Sequence, residues 1–257
     1  MKVLIVGIGA LGGTIAARAI RAGLPVRLAA RNTDSAVALR RSGLRVSGIG
    51  GEVRADAIEV AAIEDYGTAE KFDLILLATK AHDALEVAPS VVRLLAPEGV
   101  VLPIQNGGVA RVLADRLGED KILGGFSNLG ATMVEPGVYE QKNAGHLLIG
   151  ELAGGVSERV ERVARALGRA IEVKVSSNLD RCHLVETPDQ LLGYNPRRAL
   201  FPNHASVHGN GGRQEGLPTD VRGSVIRGTC DWHSAGAPGR GPDSARMAEQ
   251  PCRRGTL

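Results

Sequence analysis

The chain has 257 residues, of which 44% are hydrophobic and 23% charged, with a formal net charge of +3. That length holds one large or two ordinary domains. No run approaches the ~18 apolar residues of a membrane span, and three cysteines without paired spacing point to a reducing, cytoplasmic compartment rather than a disulfide framework. Residues 2–6 (KVLIV) read as an apolar strand, so no signal peptide is expected. Gly7-Ile8-Gly9-Ala10-Leu11-Gly12 follows at once, and residues 13–22 have helical composition. A GxGxxG pattern is informative only in this strand–loop–helix context. Gly7 permits the tight turn, Gly9 a close approach of backbone to pyrophosphate, and Gly12 the packing of helix on strand. The helix N-terminus then offers free N–H groups and a partial positive charge to phosphate. The bland alternative is a glycine-rich βα turn without a ligand.

Residues 25–30 read as the second strand, ending at Arg31-Asn32-Thr33. An NAD site usually carries an acid here, to accept from the ribose 2′-OH. Arg31 stands in its place, and a planar guanidinium suits a 2′-phosphate. NADP is therefore the expected cofactor, against the alternative of an ordinary surface arginine. Further on, residues 53–60, 72–78, 99–104, 122–129 and 171–176 read as strands, and 137–149 as a hairpin. Residues 81–95, 109–117 and 157–167 read as helices. The alternating order implies a Rossmann-type, doubly wound parallel sheet covered by helices. Leu, Ile and Val are plentiful throughout positions 1–180, enough for a substantial core.

Two polar residues follow apolar strands in this reading. Lys80 places an ammonium at the carboxyl end of a strand, where open α/β sheets bind ligands, and it could attract a phosphate or a carboxylate. Asn106 sits in the same relation to the next strand, with an amide able to donate to a carbonyl; otherwise it is a turn former before Gly107 and Gly108. Gln105 reads as structural. His82 and His146 are read as having no metal-like or triad-like neighbours, and no metal site is expected. Glu172 and Lys174 alternate on an expected edge strand.

After position 180 the texture changes. Positions 1–180 balance basic against acidic side chains, whereas positions 181–257 carry many Arg, no Lys and fewer acids than Arg. Leu, Ile, Val and Phe become sparse there, while Gly and Pro become frequent. Such composition buries too little apolar surface to offset ordering entropy. The expected organisation is a nucleotide-binding domain over 1–180 and a disordered tail over 181–257. The Arg-rich tail lacks a basic stripe with interleaved aromatics, so no nucleic-acid partner is expected.

The stretch 1–180 resembles the N-terminal part of the ketopantoate reductase (2-dehydropantoate 2-reductase) family. The resemblance lies in residues 6–12 (VGIGALG), Ala30-Arg31, 76–81 (LLATKA), 102–107 (LPIQNG), 124–136 and 176–178 (SSN). It covers more than two thirds of the chain, and the Thr-Lys-Ala and Gln-Asn-Gly pieces in that order are its most specific part. It implies NADPH-dependent reduction of 2-ketopantoate to pantoate, a step toward pantothenate and coenzyme A, with a small 2-oxo acid as substrate; the alternatives are a reductase of another 2-oxo acid and a non-catalytic NADP-binding remnant. Carried over by position, Gly7, Ile8, Gly9, Ala10, Leu11 and Gly12 hold the pyrophosphate and Arg31 the 2′-phosphate. Lys80 and Asn106 lie near nicotinamide and substrate, and the backbone at Ala131 touches the cofactor.

The family also uses a helical domain with a catalytic Lys in a Trp-x-Lys-Leu segment and an Asn four residues later. Neither is recognisable after Asp180. Codons compatible with residues 182–191, read from their second base, can spell Val-Ile-Trp-Ser-Lys-Leu-Leu-Ile-Asn. A frameshift near 180–182 is therefore expected, with impaired or absent activity for this polypeptide. Oligomeric state is not legible in the sequence.

Overall fold

A computed structural model describes residues 1–106, 108–179 and the segment Trp232–Ser234. The central sheet is fully parallel, in the order β5-β2-β1-β6-β7. Its strands are β1 (Val3–Val6), β2 (Val26–Ala30), β5 (Val60–Ala62), β6 (Phe72–Leu77) and β7 (Leu95–Pro103). In β1 and β6, residues 3–6 and 74–77 are buried without alternation. Continuous apolar runs are what a sheet covered on both faces requires. The helices are α1 (Ala10–Arg21), α2 (Thr33–Ser42), α3 (Ala81–Leu94), α4 (Val109–Leu117) and α5 (Glu158–Leu167). The expected parallel α/β architecture is what the structure shows, and no helix among the described residues is long and apolar enough to cross a membrane.

Two further sheets flank this core. One orders β4 (Val53–Ala55), β3 (Leu44–Gly48), β10 (Val138–Gln141) and β9 (Ala131–Glu135). The other orders β13 (Trp232–Ser234), β12 (Val173–Ser176), β11 (Leu147–Gly150) and β8 (Gly124–Ser127). Helix α1 packs on the first flanking sheet as well as on β1 and β2. Its run Gly12-Gly13-Thr14-Ile15-Ala16-Ala17 is buried throughout, because small residues are needed on both sides of a helix held between two sheets. The buried Thr14 hydroxyl is satisfied by donating to the Ala10 carbonyl at 2.8 Å. By contrast, α5 is one-sided: it buries Val160, Val163, Ala164 and Leu167, the i, i+3, i+4, i+7 stripe of an amphipathic helix.

Several expected elements are corrected. The segment 53–60 is not one strand: β4 pairs antiparallel with β3, while β5 joins the edge of the parallel sheet. The chain leaves one sheet and enters the other at residues 56–59, a change of partner that alternation alone does not reveal. The segment 137–149 is not a hairpin. β10 pairs antiparallel with β9, and β11 belongs to the other flanking sheet. Helix α2 and strand β3, absent from the sequence reading, form behind an Asn32 side chain that accepts from the Ser35 N–H at 2.9 Å. β12 is not an edge, since β13 pairs along its other side. Apart from β13, the expected disordered tail lies outside the described residues.

Candidate nucleotide-binding cleft

The carboxyl ends of β2, β1, β6 and β7 lie side by side and stay hydrogen-bonded past the strands proper. The Gly7 N–H donates to the Ala29 carbonyl at 3.1 Å, the Ala78 N–H to Val6 at 2.8 Å, and the Ile104 N–H to Leu77 at 3.1 Å. The order 5-2-1-6-7 places the reversal of strand order between β1 and β6, the crevice where open α/β sheets receive ligands. The structure thereby brings together four expected groups: Gly7–Gly12 after β1, Arg31 after β2, Lys80 after β6 and Asn106 after β7.

Each glycine of the loop has a distinct reason. Gly7 has φ +92°, and a Cβ there would lie 2.7 Å from the Thr79 amide nitrogen. A Cβ on Gly12 would lie 1.9 Å from the Gly7 carbonyl oxygen, so helix and strand could not approach. A Cβ on Gly9 would meet nothing within 4 Å. Packing does not demand glycine at position 9; an open surface against which a ligand can rest is the remaining use of it. Gly9 is the N-cap of α1 and supplies no side-chain acceptor, and the first turn holds no acid. The N-caps of α3 and α4, Lys80 and Gly108, make no side-chain cap bond either. Helices α2 and α5 are capped by Asn32 and Ser157. The three uncapped ends follow β1, β6 and β7, so unsatisfied N–H groups collect around the crevice.

Arg31 is 83% exposed and lies 3.9 Å from the Asp83 carboxylate on α3, free enough to turn toward a phosphate. Lys80 and Asn106 are exposed at the mouth. Behind them Gln105 joins two strand ends: its amide nitrogen donates to the Leu77 carbonyl at 3.1 Å and the Thr79 carbonyl at 2.9 Å. The buried Thr79 hydroxyl and the Gln105 amide oxygen find no partner among the described residues. Such polar atoms are ordinarily satisfied by protein, solvent or ligand, and two of them between β6 and β7 suit a polar group entering the crevice. Ala131 comes from the flanking sheet, opening β9 opposite Gln141, where β9 packs on α1, the helix that follows the glycine loop. The donor set, the open Gly9 surface and the orphan atoms fit a dinucleotide lying across the strand ends.

Two features were missed in the sequence. His82, Asp83 and Glu86 hold ligand-capable atoms within 4.8 Å of one another, contrary to the expectation that His82 lacks metal-like neighbours; their i, i+1, i+4 spacing on one helix could have shown it. Tyr139, 131 residues from the loop in sequence, donates its hydroxyl to the Ile8 carbonyl at 3.1 Å. Its burial pushes the phenol up to about 12. No local pattern could have signalled that contact.

Residues 3–154 match the family Ketopantoate reductase PanE/ApbA. A 2-dehydropantoate 2-reductase from Halobacterium salinarum is 30% identical over 183 residues, covering 70% of this chain and 59% of the relative. The chain thus spans about three fifths of the length of these curated relatives. Among solved structures, 2-dehydropantoate 2-reductase from Geobacter metallireducens superposes with a TM-score of 0.63 at 28% identity, over 71% of this chain and 60% of that one. D-Mandelate dehydrogenase, solved with NADH and anilino(oxo)acetate, shares the fold with a TM-score of 0.65 at 22% identity, over 71% and 59%.

Proposed function

The chain belongs to the ketopantoate reductase PanE/ApbA family, and from that premise we propose that residues 1–180 form an NADPH-binding domain serving the reduction of 2-ketopantoate to pantoate. The observation that supports it most directly is the convergence of the uncapped Gly7–Gly12 loop, Arg31, Lys80 and Asn106 on adjacent parallel strand ends. Gly7 to Gly12 receive the pyrophosphate on backbone N–H groups. Arg31 selects the 2′-phosphate by charge and planar donor geometry, which makes NADPH the preferred form over NADH. When bound, the reduced nicotinamide supplies the hydride. Lys80 offers an ammonium to the keto acid's carboxylate or to the oxygen that gains charge at C2. Asn106 donates an amide N–H to the substrate carbonyl or the cofactor's carboxamide. Ala131 approaches the cofactor through its backbone.

The family's proton-donating lysine has no counterpart in the stretch 181–257, which contains no Lys. Loss of a positioned general acid costs about 10²–10⁴-fold in rate. This polypeptide is therefore a cofactor-binding reductase domain with impaired turnover, and a frameshift near position 180 accounts for the tail. The test is one sample of the full chain, followed by NADPH fluorescence and by NADPH oxidation with ketopantoate. Binding with little turnover is expected. An ordinary enzymatic rate would overturn the impairment, absence of binding would overturn the nucleotide site, and turnover of another 2-oxo acid in preference would reassign the substrate. Sequencing the gene tests the frameshift: no Trp-x-Lys-Leu string in the shifted frame sinks it.

A further inference from the structure

We propose that Tyr139 is a positioning residue for the phosphate loop, its hydroxyl holding the Ile8 carbonyl so that the Gly9 N–H faces the pyrophosphate. This rests on the reading of Gly7–Gly12 as the cofactor's phosphate site. Along β10, Tyr139 and Gln141 are buried while Val138 and Glu140 are less so, the alternation that points every second side chain of a strand to one face. Both buried residues meet α1. Gln141 accepts from the Arg18 guanidinium at 2.8 Å, in the middle of the helix. Tyr139 lies against the helix start, where a Cβ on Gly13 would fall 2.0 Å from its ring. Glycine at position 13 thus makes the room through which the ring reaches past the helix to the loop.

The hydroxyl donates across that gap to the Ile8 carbonyl. The Ile8–Gly9 peptide is planar and trans, so its C=O and N–H point in opposite directions. Anchoring the oxygen on the flanking-sheet side turns the Gly9 N–H the other way. That N–H has no protein acceptor among the described residues, and Gly9 borders open space. A phenylalanine would fill the notch above Gly13 equally well. The hydroxyl's distinct contribution is the orientation of one peptide unit in the loop, and with it a donor aligned before the ligand arrives. Burial keeps the phenol protonated, and hence a donor, across the physiological pH range.

The test is Tyr139→Phe in the full chain, with NADPH affinity by fluorescence titration, the apo unfolding curve, and hydrogen exchange of residues 7–13 with and without NADPH. The expected result is a variant that unfolds cooperatively like the wild type but binds NADPH about 5–10-fold more weakly, the loss of roughly one hydrogen bond's worth. NADPH-induced protection at the Gly9 amide should fall with it. Unchanged affinity and protection, even with a lowered Tm, would assign Tyr139 a packing role only and overturn the proposal. Wild-type chain that binds no NADPH would overturn the underlying reading of the loop instead, so the two failures are distinguishable.

Discussion

At the scale of single residues, the loop glycines separate two demands that a motif merges. Gly12 is required by the fold, because a methyl there would overlap the Gly7 carbonyl at 1.9 Å, whereas a methyl on Gly9 would meet no protein atom within 4 Å. Gly12→Ala should therefore lower the apo Tm steeply. Gly9→Ala should leave it nearly unchanged and weaken NADPH at least about tenfold, by filling the space proposed for the pyrophosphate; thermal unfolding and titration on the two variants decide this. Arg31 meets the Asp83 carboxylate at 3.9 Å, too long and too exposed a contact to hold it firmly. Arg31→Ala should lower the preference for NADPH over NADH by about 10–100-fold, the range for a lost charge-assisted hydrogen bond. Asp83→Asn should move that preference the other way, by removing a competitor for the guanidinium. Ratios of NADPH to NADH dissociation constants measure both.

At the scale of elements, the start of α5 shows how one carboxylate joins two pieces of chain. Glu151, after β11, accepts from the Arg159 Nε at 2.8 Å and from its terminal nitrogen at 2.5 Å. Ser157 also donates to it while capping the helix. The hydrogen bonds from Arg159 first, and that from Ser157 after a partly opposing effect of burial, hold Glu151 below the usual carboxylate range. A depressed folded-state pKa contributes stability that is present above the unfolded value, about 4.3 for Glu, and is lost as pH falls through the folded value. Arg159→Gln should thus be less stable than wild type at pH 6–7, with the gap narrowing below about pH 4. Tm measured against pH for the two proteins checks it, and a gap that persists at low pH would assign Arg159 to packing. The adjoining strands show the limit of periodicity. Residues 53–60 alternate well enough to read as one strand, yet β4 and β5 serve different sheets. Alternation says which side chains share a face and not which partner the backbone joins.

At the scale of the whole molecule, α1 is the shared element. It lies between the parallel sheet and the β4-β3-β10-β9 sheet, and Arg18 holds the β3–β4 turn through the Ile49 and Gly50 carbonyls at 3.0 Å each. The flanking sheet is thereby a brace for the helix that follows the proposed phosphate loop. Hydrogen exchange should be slowest in β1 and β6, whose apolar side chains are buried on both faces. It should be fast in β9, an edge strand with Met133 and Val134 exposed. Residue-resolved exchange on the apo chain measures the order. Comparable protection in β9 and β1 would mean that another surface covers that edge.

What was legible in the sequence is what neighbours along the chain decide. The GxGxxG loop between strand and helix, the apolar runs of β1 and β6, the span 109–117 of α4 and the stripe of α5 follow from propensity and period, which act within a few residues. From these alone came the parallel α/β class, and with Arg31, Lys80 and Asn106 falling just past strand ends, most of the candidate site. What the tertiary structure decided depends on residues far apart in sequence meeting in space. The membership of β5, β10 and β11 in their sheets is of this kind, as are the all-round burial of α1, the Gln105 link between β6 and β7, the Arg31–Asp83 pair and the reach of Tyr139 to Ile8. Backbone pairing and side-chain contact between distant parts of the chain leave no local period behind, so only the folded arrangement could show them.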